Sequence, residues 1–158
     1  MPQKSITFAG MKKNIDIAFD FSQVPPSWHF CFCNECPQHD ECLHFLAGQH
    51  LPDDLTWGEA IFPTAYKNGP CRHFKQVRVI RAAYGFAPLF KEVKQKDSTP
   101  LRDAIKHYLG GHGTYYRYHR GERMLTPEQQ QWILRLFARY GYHDGLAFEH
   151  YKDIVDFS

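Results

Sequence analysis

Four of the five cysteines in this 158-residue chain lie within one short stretch, and the fifth follows after a gap. Thiolates at this density either pair as disulfides or hold a metal ion, and the cellular compartment decides which. The first twenty residues carry several charges and no apolar run like that of a secretory signal. This predicts a cytoplasmic protein with reduced thiols, so a metal site is favoured. The cysteines are Cys31, Cys33, Cys36, Cys42 and Cys71.

The cysteine spacing fits a zinc site. Zinc takes four thiolate or imidazole ligands in a tetrahedron, and one tight turn often supplies two of them. Cys33 and Cys36 have the spacing of such a turn, and the spacing of Cys31 from Cys36 is also permitted. Cys42, together with either Cys71 or His73 from a distant loop, completes the shell of four ligands. The preferred ligands are Cys31, Cys36, Cys42 and Cys71, with Cys33 and His73 as alternates.

Two alternatives to zinc use the same residues. An iron–sulfur cluster needs the same thiolates, which would make this an iron–sulfur or redox-responsive protein. Free cysteine is also among the most buried residue types, so the five thiols could pack without any metal.

The net charge of +2 conceals a strong internal asymmetry. Residues 72–123 carry 12 Lys or Arg and 4 Asp or Glu, a net charge of +8, whereas the segments on either side are acidic. A basic segment of this kind is typical of a surface for a polyanion, and DNA or RNA is the expected partner. There are two alternatives to a nucleic-acid surface. The basic segment could be a solvated helix face whose charges pair with the acidic flanks, or it could belong to a protein-interaction module.

Aromatic side chains alternate with arginines at the end of this basic segment. Arginine binds phosphate, and tyrosine either stacks on bases or packs in a core. The predicted nucleic-acid contacts are Arg102, Lys106, Tyr116, Arg117, Arg120 and Arg123.

No catalytic residues are predicted. The chain has ten histidines, but it lacks a nucleophile elbow, a phosphate-binding loop, a dinucleotide fingerprint and a zinc-protease motif. Isolated histidines without a partnered motif argue against an enzyme.

The elements that position these residues form a predicted α+β fold. Alternating apolar residues predict an N-terminal β-hairpin with a turn at residues 10–14, followed by a loop-rich segment stapled by the cysteines. This part, residues 1–73, is expected to pack on a mainly helical half, residues 74–158, as one integrated domain. Spacing predicts a helix over Val77–Tyr84, a later helix capped by Thr99, and a long helix with a capping box at Thr126.

The order of these helices resembles a helix-turn-helix of the phage-repressor class. A helix ending at Gly110 precedes a short helix over Thr114–Arg120, a glycine corner at Gly121 and the long helix from Pro127. The resemblance implies that the short helix reads DNA.

The whole chain resembles an uncharacterised family of small bacterial proteins with an N-terminal cysteine cluster. The shared features are the four preferred cysteine ligands and the block from Tyr115 to Gln130. The resemblance implies no activity. The sequence therefore predicts a nucleic-acid-binding, regulatory protein with a structural zinc, no membrane segment and an unspecified oligomeric state.

Overall fold

The computed structural model describes residues 5–6 and 17–158. It contains helices and strands, which confirms the predicted α+β fold. Short 3₁₀ turns supplement the helices within this part of the chain, and none of its helices is long and apolar enough to cross a membrane. The helices are α1 (Leu43–Gln49), α2 (Ala87–Phe90), α3 (Gln95–Tyr108), α4 (His112–His119) and α5 (Pro127–Arg139).

The strands associate as two-stranded pairs in the described ranges. The antiparallel pairing of the first two strands agrees with the predicted hairpin, whose turn at residues 10–14 lies outside the described residues. The second pair is parallel and joins the two ends of a long, mostly irregular segment. The pairs are β1 (Ser5–Ile6) with β2 (Ile17–Ala18), β3 (His29–Phe30) with β4 (Glu59–Ala60), and β5 (Val79–Tyr84) with β6 (His150–Val155).

The chain divides into two compact units. The cysteine unit comprises Met1–Val79 and Ile154–Ser158, and the helical unit comprises Ile80–Asp153. Each unit has its own hydrophobic cluster. The predicted boundary between residues 73 and 74 stays a prediction.

The described residues of the cysteine unit contain a small buried hydrophobic cluster. This cluster consists of Leu43 from α1, Val77 and Val155, with aromatic residues such as Trp28 packed against it. A cluster of this size, taken over the described residues, supplies only part of the hydrophobic stabilisation that a loop-rich segment needs.

The helical unit has a larger core, built from the apolar faces of α3, α4 and α5. In α5, Ile133, Leu136 and Phe137 are buried and lie on one face at helical spacing. The predicted capping box begins this helix: the Gln129 amide donates to Thr126 Oγ1 at 3.3 Å, and the Thr126 amide donates to Gln129 Oε1 at 3.0 Å.

The predicted helix over Val77–Tyr84 is wrong, because residues 79–84 form β5. The few apolar positions that suggested a helix also suit a strand, and β-branched Val79 and Ile80 favour one. Strand β6, far along the chain, supplies the pairing partner. Tertiary pairing therefore decides this segment.

The predicted start of α3 at Thr99 is also wrong, since the helix begins at Gln95 and contains Pro100. The Tyr142 hydroxyl accepts a hydrogen bond from the Lys94 amide at 3.0 Å and donates one to Asp97 Oδ2 at 2.7 Å. This side chain caps the earlier turn, which the local sequence does not reveal.

Candidate metal centre

All five cysteines line one small cavity of the cysteine unit, with a volume of about 20 Å³. None of them forms a disulfide, and Cys36 and Cys42 are buried. The rest of the lining consists of three histidines and mostly apolar side chains, and Cys31, Cys33 and Cys71 are partly buried. One cavity is therefore lined by the predicted ligands Cys31, Cys36, Cys42 and Cys71 and by both alternates, Cys33 and His73.

The first cysteines are positioned by β3 and α1. Cys31 directly follows β3, and its amide donates to the His44 carbonyl oxygen on α1 at 3.0 Å. The Cys36 amide donates to the Cys33 carbonyl oxygen at 3.3 Å, which closes the predicted tight turn. Cys42 is the residue immediately before α1. These contacts hold four thiols near the start of one short helix.

Backbone pairing brings the distant cysteine back to the others. The Leu43 amide donates to the Lys75 carbonyl oxygen at 2.7 Å, and the Val77 amide donates to the Glu41 carbonyl oxygen at 2.9 Å. These bonds flank an antiparallel bridge between Cys42 and Gln76. The loop that carries Cys71 is therefore anchored beside Cys42.

Cys33 differs from the other cysteines in its contacts. Its Sγ lies 3.1 Å from the hydroxyl oxygen of Tyr66, and this hydrogen bond raises the pKa of Tyr66 to about 12. Burial raises the pKa of Cys31, and the nearby thiols of Cys42, Cys33 and Cys36 raise it further. Gathering several thiolates in one buried place is therefore unfavourable unless a cation neutralises them.

His44 also lines the cavity, although the sequence did not predict this. Its Nδ1 lies 2.6 Å from the His29 carbonyl oxygen, and its ring stacks on Trp28 with 4.5 Å between centroids. Burial lowers the pKa of His44, which favours the neutral imidazole. A backbone bond at one ring nitrogen is the usual way to orient a metal-binding histidine. Only its place two residues after Cys42 could have suggested it.

His39 also lines the cavity and was not predicted. Its Nδ1 lies 2.7 Å from the Cys36 carbonyl oxygen, and its Nε2 lies 3.0 Å from Asp40 Oδ1. Both ring nitrogens are engaged, so His39 serves to hold the turn rather than to bind a metal.

In the described part of the chain, no three His, Cys, Asp or Glu side chains already stand close enough together to hold a metal ion. The donor types nevertheless suit zinc, because thiolate and imidazole are the ligands of its structural sites. To close a four-ligand shell, the side chains around the cavity would have to move closer together.

The predicted nucleic-acid contacts lie on α3, α4 and the turn after α4. On α3, the Arg102 guanidinium lies 4.7 Å from the ring centre of Phe90, and Lys106 Nζ lies 3.5 Å from Asp103 Oδ1. These two side chains are partly covered, and their partners lie within the basic segment itself rather than on its acidic flanks.

Arg117 on α4 and Arg120, the residue directly after α4, share one acidic partner. Arg120 Nε lies 2.6 Å from Glu122 Oε1, and Arg117 Nε lies 3.7 Å from Glu122 Oε2. Arg123 is exposed, and Tyr116 is half-buried against the helical core. The structure thus brings Arg117 and Arg120 together but balances part of their charge.

A family model matches residues 11–157, which include the cysteine cluster and all five helices. The chain belongs to this family of unknown function, DUF6078. Membership confirms the predicted likeness to an uncharacterised family, and it makes the cysteine cavity a feature of a DUF6078 protein. No curated protein and no solved structure matches the chain.

Proposed function

We propose that the cysteine unit binds one zinc ion through its thiolates and that the ion stabilises this unit. The observation that carries the proposal is the shared cavity, since cysteines from three separate parts of the chain line it. The small buried cluster of Leu43, Val77 and Val155 supports a structural role, because metal binding energy is folding energy in units with little core.

The preferred ligands remain Cys31, Cys36, Cys42 and Cys71, with Cys33 and His73 as alternates. The contact between Cys33 and Tyr66 supports leaving Cys33 outside the shell. The cavity volume of about 20 Å³ supports a single ion rather than an iron–sulfur cluster, because it equals roughly one water-sized sphere. Iron–sulfur chemistry is therefore the alternative outcome of the test.

Elemental analysis of native protein tests the proposal. We expect about one zinc per chain, lost together with thermal stability after chelation. Cys42→Ser should abolish zinc binding, whereas the matched variant Cys33→Ser should retain it. Iron with acid-labile sulfide would support the cluster instead. Metal-free native protein whose unfolding temperature does not respond to a chelator would contradict both.

We also propose that the helical unit binds nucleic acid, with a helix-turn-helix formed by α3 and α4. Three residues, 109–111, connect these helices, which is the length of connection typical of that motif. Arg117, Arg120 and Arg123 are exposed and supply the positive charge. Phosphate would have to compete with Glu122, so we expect weak binding that falls steeply with salt.

The test measures binding to random DNA and RNA pools at about 50 mM salt, where electrostatic binding is strong. Replacing the three arginines by Gln should flatten the salt dependence. Replacing Arg135 and Arg139 on α5, which are also exposed, is the matched control and should leave it unchanged. No binding by the wild type, or an equal effect of both sets, would refute the proposal and favour a protein-interaction module.

A further inference from the structure

A second and much larger cavity lies in the cysteine unit. Its volume is about 520 Å³, which is within the range of roughly 300–1,000 Å³ typical of small-molecule sites. It lies between the 3₁₀ turn Pro63–Ala65, the loop after it and the end of β4. We call it the Arg72 cleft, after the arginine in its lining.

The Arg72 cleft combines one permanent positive charge with an apolar wall. Arg72 is its one residue with a permanent charge, and no carboxylate side chain lines it. Among the described residues, no ion pair joins Arg72 to an acidic partner. Thr64 and Asn68 add hydrogen-bonding groups, and Ile61 and Phe62 form part of the wall.

Glu59, which directly precedes the lining residue Ala60 in the sequence, is paired with a histidine. Glu59 Oε2 lies 2.7 Å from Nε2 of His29, which does line the cleft. This contact engages the Glu59 carboxylate. Within the part of the chain that the structure describes, no acidic side chain is paired with the Arg72 guanidinium.

We propose that the Arg72 cleft binds a small organic carboxylate. A guanidinium pairs with a carboxylate through two parallel hydrogen bonds, and the pair is stronger than a neutral hydrogen bond. The exposed ring of Phe62, with 74% of its surface accessible, offers a flat apolar face for the body of the ligand. Binding of the anion requires Arg72 and does not rest on a metal in the neighbouring cavity.

The cleft and the cysteine cavity nevertheless share a wall. Ile61, Phe62, Ala65 and His73 line both. A bound carboxylate would therefore lie against residues that also line the cysteine cavity. Its binding would shift the backbone amide NMR signals of residues 61–73.

The experiment is a titration of the ¹⁵N-labelled full chain, as purified, with benzoate, acetate and inorganic phosphate at low salt. We expect saturable shifts from benzoate that are concentrated in residues 61–73. Acetate, which lacks the apolar body, and phosphate should bind more weakly. Arg72→Gln should weaken benzoate binding about tenfold, the effect of losing one charge-assisted pair.

Two further variants keep the result interpretable. Arg78→Gln removes an exposed arginine of the same unit that is not part of the cleft, and it should bind benzoate like the wild type. Phe62→Ala should weaken benzoate binding but leave acetate unchanged. Equal affinity of Arg72→Gln and wild type, equal losses in the two arginine variants, or shifts scattered over the surface would overturn the proposal. Zinc content is measured separately, so failure here leaves the metal proposal standing.

Discussion

Replacing Gly48 by Ala should disrupt the backbone that presents Cys31 to the cavity. Gly48 is buried in α1, and a Cβ atom there would collide with the Cys31 carbonyl oxygen and lie 3.3 Å from a ring carbon of Phe32. The carbonyl cannot easily retreat, because the Cys31 amide is bonded to the His44 carbonyl oxygen at 3.0 Å on the same helix. Added volume must therefore push the whole Cys31 segment away from α1.

The expected cost follows from three contributions. Overpacking against backbone costs about 2–3 kcal/mol, and weakening the bond between Cys31 and His44 costs about 1 kcal/mol. The higher helix propensity of Ala over Gly offsets about 1 kcal/mol of this loss in the free energy of unfolding. We therefore expect Gly48→Ala to lower the free energy of unfolding by about 2–3 kcal/mol and to weaken zinc binding.

Gly113 provides the matched control. It lies in the first turn of α4, is exposed, and has no atom within 4 Å of an added Cβ. Gly113→Ala should leave stability unchanged or raise it by up to about 1 kcal/mol. Urea unfolding followed by circular dichroism compares the two variants, and a zinc competition assay follows the metal. A Gly48→Ala protein as stable as the wild type would refute the reasoning.

Two further predictions concern the helical unit. The hydrogen bond from Arg120 holds the pKa of Glu122 below its usual value, so this carboxylate favours the folded state at neutral pH and the benefit is lost as the pH falls through that lowered pKa. In an NMR titration, Arg120→Gln should raise the pKa of Glu122, and an unchanged pKa would contradict the pairing. Thr126→Ala removes one hydrogen bond of the capping box and should lower the free energy of unfolding, measured in urea, by about 1 kcal/mol. Thr126→Ser keeps a hydroxyl and should lower it less. Equal stability of the wild type and both variants would show that the cap contributes nothing.

Local sequence signals predicted some elements well. The capping box and the apolar face of α5 are complete within a few residues, so the start of this helix needs no distant partner. The turn between Cys33 and Cys36 is local in the same way. Such features follow from neighbouring residues alone.

Other features depend on partners far along the chain. Strand β5 is decided by its pairing with β6, and the start of α3 by the hydroxyl of Tyr142. The lining role of His44 depends on the packing of α1, which brings its carbonyl oxygen to the amide of Cys31. The Arg72 cleft arises from irregular segments that meet only in the fold, so no spacing rule could predict it.

The division of the chain sets an order for folding during synthesis. The cysteine unit includes residues 154–158, whose Val155 is buried beside Leu43 and Val77. The helical unit, Ile80–Asp153, is continuous, so the ribosome delivers all of it before the cysteine unit is complete. Domains usually fold from the N-terminus onward during translation, but the N-terminal unit of this chain cannot be complete before the helical unit has been synthesised. The unit that carries the thiols therefore lacks the buried side chain of Val155 until the last residues of β6 have been synthesised.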